Sequence, residues 1–157
     1  MRTSRAVWRR GVGLVATLLG VWGCAGVAFA PLTRVDAKVE GFTKHYAESF
    51  FRIGENRLFS VELETSPARL RVGKNRFELI VHHAKMGDVE GARVEVVARG
   101  PSGQEVRPHV WEVEYGAYDV TGLAFDEPGT WTVEVRAQKG NLRDRVQFDL
   151  VVPPPGG

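Results

Sequence analysis

From Asn56 onward, hydrophobic and polar residues alternate with a period of two. That is the spacing of a strand with one buried face and one wet face. Phe77, Leu79 and Val81 alternate with Glu78 and Ile80, and Val94, Val96 and Ala98 with Arg93, Glu95 and Val97. Trp131, Val133 and Val135 are set against Thr132, Glu134 and Arg136, and Val146, Phe148 and Leu150 close the pattern. Residues 58–63 and 70–72 read as a first strand pair around Thr65-Ser66-Pro67, with further strands over 106–113 and 118–125. Gly100-Pro101-Ser102-Gly103, Glu127-Pro128-Gly129 and Lys139-Gly140-Asn141 supply turns between the runs. The pattern predicts an all-β fold, an antiparallel Ig-like β-sandwich of seven or eight strands over residues 56–152. A Pro/Gly tail, 153–157, follows it.

Residues 31–55 carry a mixed signal. Val39, Phe42, Tyr46 and Phe50 recur at helical spacing, yet their aromatic content suits a strand equally well. The segment is expected to be a linker leading into a short helix or an edge strand. Arg52-Ile53-Gly54-Glu55-Asn56-Arg57 is echoed by Arg71-Val72-Gly73-Lys74-Asn75-Arg76. Two copies are too few for a solenoid, and both read as tight turns in which Gly and Asn reach positive φ.

The first thirty residues are of another kind. Gly11 to Ala30 is an uncharged run of twenty residues behind Arg2, Arg5, Arg9 and Arg10. That layout predicts an N-terminal hydrophobic signal or anchor helix with its basic end retained in the cytoplasm. Ala28-Phe29-Ala30 fits a cleavage site, Val21-Trp22-Gly23-Cys24 a lipoprotein signal with Cys24 lipidated, and the whole run is long enough to span a bilayer. Each alternative holds the domain in the cell envelope, on the outer face of the cytoplasmic membrane.

This segment also changes the meaning of the charge. The chain carries a formal +2, but removing its four N-terminal arginines from the 21 Lys and Arg leaves 17 against 19 Asp and Glu. A mildly acidic domain lacks the basic face that nucleic acid requires. Cys24 is the one cysteine, so no internal disulfide forms, and metal ligands must be His, Met or carboxylate.

The candidate metal ligands are His82, His83, Met86 and His109, with His45 as a distant extra. Imidazole with thioether suits Cu(I), and two or three imidazoles suit Cu(II) or Zn(II). Adjacent His82 and His83 leave opposite faces of a strand, so a site needs His109 to approach one of them. No catalytic residue is assigned. Ser60, Ser66 and Ser102 lack a Gly-x-Ser-x-Gly setting, and no Gly-rich loop leads into a helix. Glu112, Glu114, Asp119 and Asp126 alternate with apolar residues as a solvated sheet face does. Trp111 shares a face with Val113 and is expected in the core; the alternative is an exposed contact surface with Tyr115.

Val72-Gly73-x-Asn75-x-Phe77, Gly91-Ala92-x-Val94, Gly116-x-Tyr118 and Phe125-x-x-Pro128-Gly129-x-Trp131-x-Val133-x-Val135 together resemble the YtkA-like, or FixH-like, domain family over residues 60–152. The resemblance implies an exported, membrane-associated, non-enzymatic accessory module. Some relatives are linked to copper handling and to the assembly of respiratory oxidases, so copper becomes a possible cofactor and an oxidase or another envelope protein a possible partner. Relatives that handle copper carry Met and His in the loop before the middle strand. Here that loop, Arg99-Gly100-Pro101-Ser102-Gly103-Gln104, has no methionine, and His109 is the nearest histidine.

Overall fold

The computed structural model describes residues 32–156. The signal or anchor segment and Cys24 lie outside the described residues. Among the described residues there is no helix long and apolar enough to cross a membrane.

The described chain is all β, with twelve strands. They are β1 (Arg34–Val39), β2 (Phe42–Tyr46), β3 (Phe50–Ile53), β4 (Phe59–Ser66), β5 (Gly73–His83), β6 (Gly87–Asp88), β7 (Arg93–Arg99), β8 (Glu105–Val106), β9 (His109–Glu114), β10 (Ala117–Phe125), β11 (Gly129–Lys139) and β12 (Leu142–Val152). One sheet runs β3-β4-β5-β10-β9, with β6 paired to β5, and the other runs β12-β11-β7-β8. Every pairing is antiparallel. The predicted sandwich is present. The extra strands are short pieces without alternation and a β1–β2 hairpin in 31–55; of the two elements expected at the end of that segment, the edge strand forms, as β3, and the helix does not.

Inward side chains of both sheets make one apolar core: Phe59, Val61 and Leu63 of β4, Phe77, Leu79 and Val81 of β5, Tyr118, Val120 and Leu123 of β10, and Trp131, Val133, Val135 and Ala137 of β11. Trp131 is wholly buried, packs with its ring tilted against Phe125 at 4.6 Å between centroids, and donates its indole N–H to the Glu127 carbonyl at 3.0 Å. The Pro-Gly-x-Trp motif therefore places the largest core side chain and satisfies its one polar atom.

Local chemistry explains where the elements depart from expectation. Residues 70–72 form no strand. The Asn75 side chain donates to the Arg71 and Gly73 carbonyls and accepts from the Arg71 N–H, holding this stretch as a turn. The run predicted over 106–113 is cut at Pro108, which has no N–H to give a ladder, and its halves lie in different sheets. Of the echoed turns, Gly73 has positive φ, whereas Gly54 is needed for space: a Cβ there would stand 2.2 Å from the Asp144 carboxyl. Asp144 accepts hydrogen bonds from the N–H groups of Asn56, Leu58, Phe59 and Arg145, which fastens the β3–β4 loop to β12.

Candidate functional site

The site grows from the outer face of the six-stranded sheet. Residues alternate on β4, so Ser60, Glu62 and Glu64 leave the strand opposite the core, where the pattern suggests solvent. They are buried all the same, at 1%, 1% and 8% exposure. The β1–β2 hairpin lies over them. Its turn, Glu40-Gly41, has positive φ at both residues, as a two-residue hairpin requires.

Glu62 is what the hairpin is hung on. Its carboxylate accepts from the N–H of His45 (2.7 Å) and of Tyr46 (2.7 Å) and from the Ser49 hydroxyl, and a further hydrogen bond joins it to His45 Nδ1 (2.9 Å). His45 Nε2 lies 3.4 Å from Asp88 Oδ1. His82 comes up from β5 beside this group, its ring 6.1 Å from that of His45 and 6.2 Å from Phe42, and its Nδ1 accepts the Thr43 N–H at 3.4 Å. Burial lowers the His82 pKa.

Glu64 has no such company. Its Oε1 is buried without a hydrogen-bond partner. Directly across the ladder stands Glu78, another carboxylate. Burial, then the charges of Glu78, Glu62 and Glu48, push Glu64 up to about 7. Glu78 is raised by burial and by Asp119. Asp119 itself is buried and held by Arg76 through two hydrogen bonds of 2.6 and 2.5 Å.

Beyond the hairpin the outer face of β10 and β9 is bare. Trp111, Val113 and Tyr115 are 44%, 53% and 71% exposed, so Trp111 does not pack in the core. The register reverses the expected facing: Val110 pairs with Val120 and Glu112 with Tyr118, both core-facing residues of β10, while Trp111 pairs with outward Asp119. Glu112 turns inward because its carboxylate accepts the N–H groups of Gly91 (2.9 and 2.8 Å) and Gly116 (3.1 Å). Tyr118 hydroxyl donates to the Val89 carbonyl at 2.8 Å and accepts the Ala92 N–H at 2.9 Å. Gly116, at φ 79° and with no room for a Cβ beside Val89 N, lets these loops meet. The Gly-Ala-x-Val and Gly-x-Tyr motifs are thus one structural joint.

The sequence-predicted ligands are scattered. His82 faces the hairpin. His83 faces the other way, its ring 5.8 Å from Phe59 and its Nδ1 accepting the N–H groups of Lys85 (3.1 Å) and Met86 (3.3 Å). Met86 is 56% exposed. His109 is exposed on β9 opposite Thr121, next to the Val120–Phe77 level of the ladder. Five residues along β5 separate that level from His82, a run of roughly 17 Å. The structure brings His82 to His45, not to His109. Among the described residues, no group of three or more His, Cys, Asp or Glu is arranged to hold a metal ion. The residues that sequence reasoning missed are Glu62, Glu64 and Glu78. Their one sequence signal is the apolar content of Phe42 and Tyr46, upstream residues that need a surface to cover.

The fold is that of an antiparallel β-sandwich with a hairpin laid over one sheet. No protein-family model and no curated protein matches the chain. Among solved structures it is similar to a DUF4426 family protein of Pseudomonas aeruginosa, at 15% identity and a TM-score of 0.53, over 70% of this chain and 98% of that one. A DUF4785 family protein of Legionella pneumophila gives 16% identity and a TM-score of 0.47, over 62% of this chain and 28% of that one. A copper-bound variant of FetP from uropathogenic Escherichia coli gives 6% identity and a TM-score of 0.45, over 67% and 95%. The first likeness is one of fold.

Proposed function

We propose that the chain is a non-enzymatic accessory module, carried at the outer face of the cytoplasmic membrane by its N-terminal segment, that docks an envelope protein through the β9 edge. One observation carries this reading: a strand at the end of a sheet presents Trp111 and Val113 to solvent, and Tyr115 directly after it is exposed as well. Trp and Tyr supply large, stiff contact area and are enriched in protein interfaces. An edge strand offers unpaired N–H and C=O groups to an added strand. The other edges are guarded. β3 and β8 have four and two residues, and β12 turns Arg143, Arg145, Gln147 and Asp149 outward.

The YtkA-like resemblance supports a respiratory oxidase as the partner. Supplying that oxidase with copper would need soft ligands gathered at one level of one face. The histidines are divided between two faces and two ends of the sheet, so docking is the reading that the geometry supports best.

Incorporating a photo-crosslinking benzoylphenylalanine at Val113 of the full chain in cell envelopes tests it. The expected result is a discrete crosslinked product, lost when Trp111→Ala is added and absent when the probe replaces the still more exposed Val151. No product from position 113, or the same product from position 151, would sink the docking proposal.

A further inference from the structure

The outer face of the four-stranded sheet carries a grid of side chains that the register fixes. Arg143, Gln138 and Arg93 stand in one row across β12, β11 and β7, and Arg145, Arg136 and Glu95 in the next. All six leave their strands opposite the core, since the residues between them, Asp144, Ala137 and Val94, turn to the inside. A groove of about 490 Å³ lies over the grid and is lined by all six.

Guanidinium groups outnumber free carboxylates there. Asp144, which also borders the groove, is spent on four backbone N–H groups. Glu95 is paired with Arg93 at 2.7 Å. Buried Glu134, one row further along, is shared by three arginines: Arg136 lies at 2.6 Å, and Arg99 and Arg145 both at 3.7 Å. Glu55 reaches Arg145 from the β3–β4 loop at 2.7 Å. The guanidinium of Arg143 has neither a counter-charge nor a hydrogen bond among the described residues.

A second observation comes from the backbone and not from the side chains. The ladder sets Arg136 directly opposite Arg145, with Arg143 and Arg93 as its diagonal neighbours. Like charges directly opposite one another weaken a sheet, and diagonal neighbours are within reach of long side chains. The register thus gathers four cations around Arg136 at a cost to stability, which a bound anion removes. All four are arginine, whose planar fork of five N–H donors matches phosphate oxygens two at a time. A single ion pair leaves several of those donors unused.

We propose that this groove binds a phosphate group, with Arg143, Arg136 and Arg93 as its ligands. The volume is that of a small-molecule site and exceeds what one phosphate fills. The group therefore belongs to a phosphorylated small molecule or to a phospholipid headgroup. The basic surplus covers two rows on three strands, far short of the long track that a nucleic acid engages. The site lies on the sheet opposite β9, so it stands or falls apart from the docking reading.

The probes are pyrophosphate and, as an anion without phosphorus, succinate. Each is titrated into the full chain in maltoside micelles, which hold no phosphate, with arginine Nε–Hε resonances read by NMR. Pyrophosphate should shift Arg93, Arg136 and Arg143 saturably, and succinate should bind at least about ten-fold more weakly. Arg143→Gln breaks no ion pair and should weaken pyrophosphate binding about ten-fold. Arg107→Gln, whose partner Glu105 lies outside the groove, should leave binding unchanged. Micelles doped with phosphatidylglycerol separate the two sources. A headgroup ligand moves the same three resonances before pyrophosphate is added and raises the pyrophosphate needed; a site for a free ligand gives one curve in both micelles. Equal binding of pyrophosphate and succinate, binding that survives Arg143→Gln combined with Arg93→Gln, or no saturable shift up to about 50 mM would overturn the inference.

Discussion

On one side of β4, Phe59, Val61 and Leu63 meet the opposite sheet; on the other, Ser60, Glu62 and Glu64 meet the β1–β2 hairpin. Both sides are buried, but they are held by different physics. The inner side is apolar, non-directional and tolerant of small shifts, and its strength scales with area removed from water. The outer side depends on a few directional bonds to buried carboxylates, which are favourable only while every partner is in place. The lesson is that one strand can carry a scaffold on one face and an adjustable joint on the other.

Breaking the inner side should cost most. Trp131→Ala removes a wholly buried indole and should lower the unfolding free energy by about 3–5 kcal/mol, read by urea denaturation of the whole domain. The outer side should fail locally. Glu62→Ala strips the acceptor from two backbone N–H groups, a hydroxyl and an imidazole, and should cost about 2–4 kcal/mol. Hydrogen exchange should speed up across β1 and β2 while the amides of β11 and β12 keep their protection. Equal acceleration in both sheets would mean that hairpin and sandwich are one cooperative unit.

The smallest effect is a pH term. Glu64 has its folded pKa raised to about 7 from 4.5, so the native state binds the extra proton and stability falls as pH rises between those values. Glu64→Gln should therefore leave stability near pH 4 unchanged. At pH 8 it should gain at most about 3 kcal/mol. Thermal melts of both forms across pH 4–8 would check the sign; a gain at the acid end would refute it.

The inner side was legible in the sequence because alternation states it directly. Phe77, Leu79, Val81 and the Trp131 run each announce a half-buried strand, and the Pro-Gly turns bound them. The outer side was not, since Ser60, Glu62 and Glu64 spell a wet face and only the hairpin of another segment buries them. Alternation also fixes a period but not a phase against polar demand. Trp111 and Val113 look like inward residues beside Glu112 and Glu114, yet two N–H groups, those of Gly91 and Gly116, need the Glu112 carboxylate, and the strand turns over to supply it. A histidine list cannot be folded into a site without the register: the sequence asks only that His109 approach His82 or His83, and His82 is found beside His45.

Asp144 has a consequence in time. Three of the N–H groups that it receives come from residues 85 to 88 positions upstream. Contacts so far apart in the chain form late, after the intervening loop has been closed. On a chain emerging from its N-terminus, the early β3–β4 loop keeps these donors open until the last strand arrives. The final eleven-residue strand thus acts as a completion signal: a chain truncated before Asp144 has every other strand available, and no means of closing the seam between its two sheets at that corner.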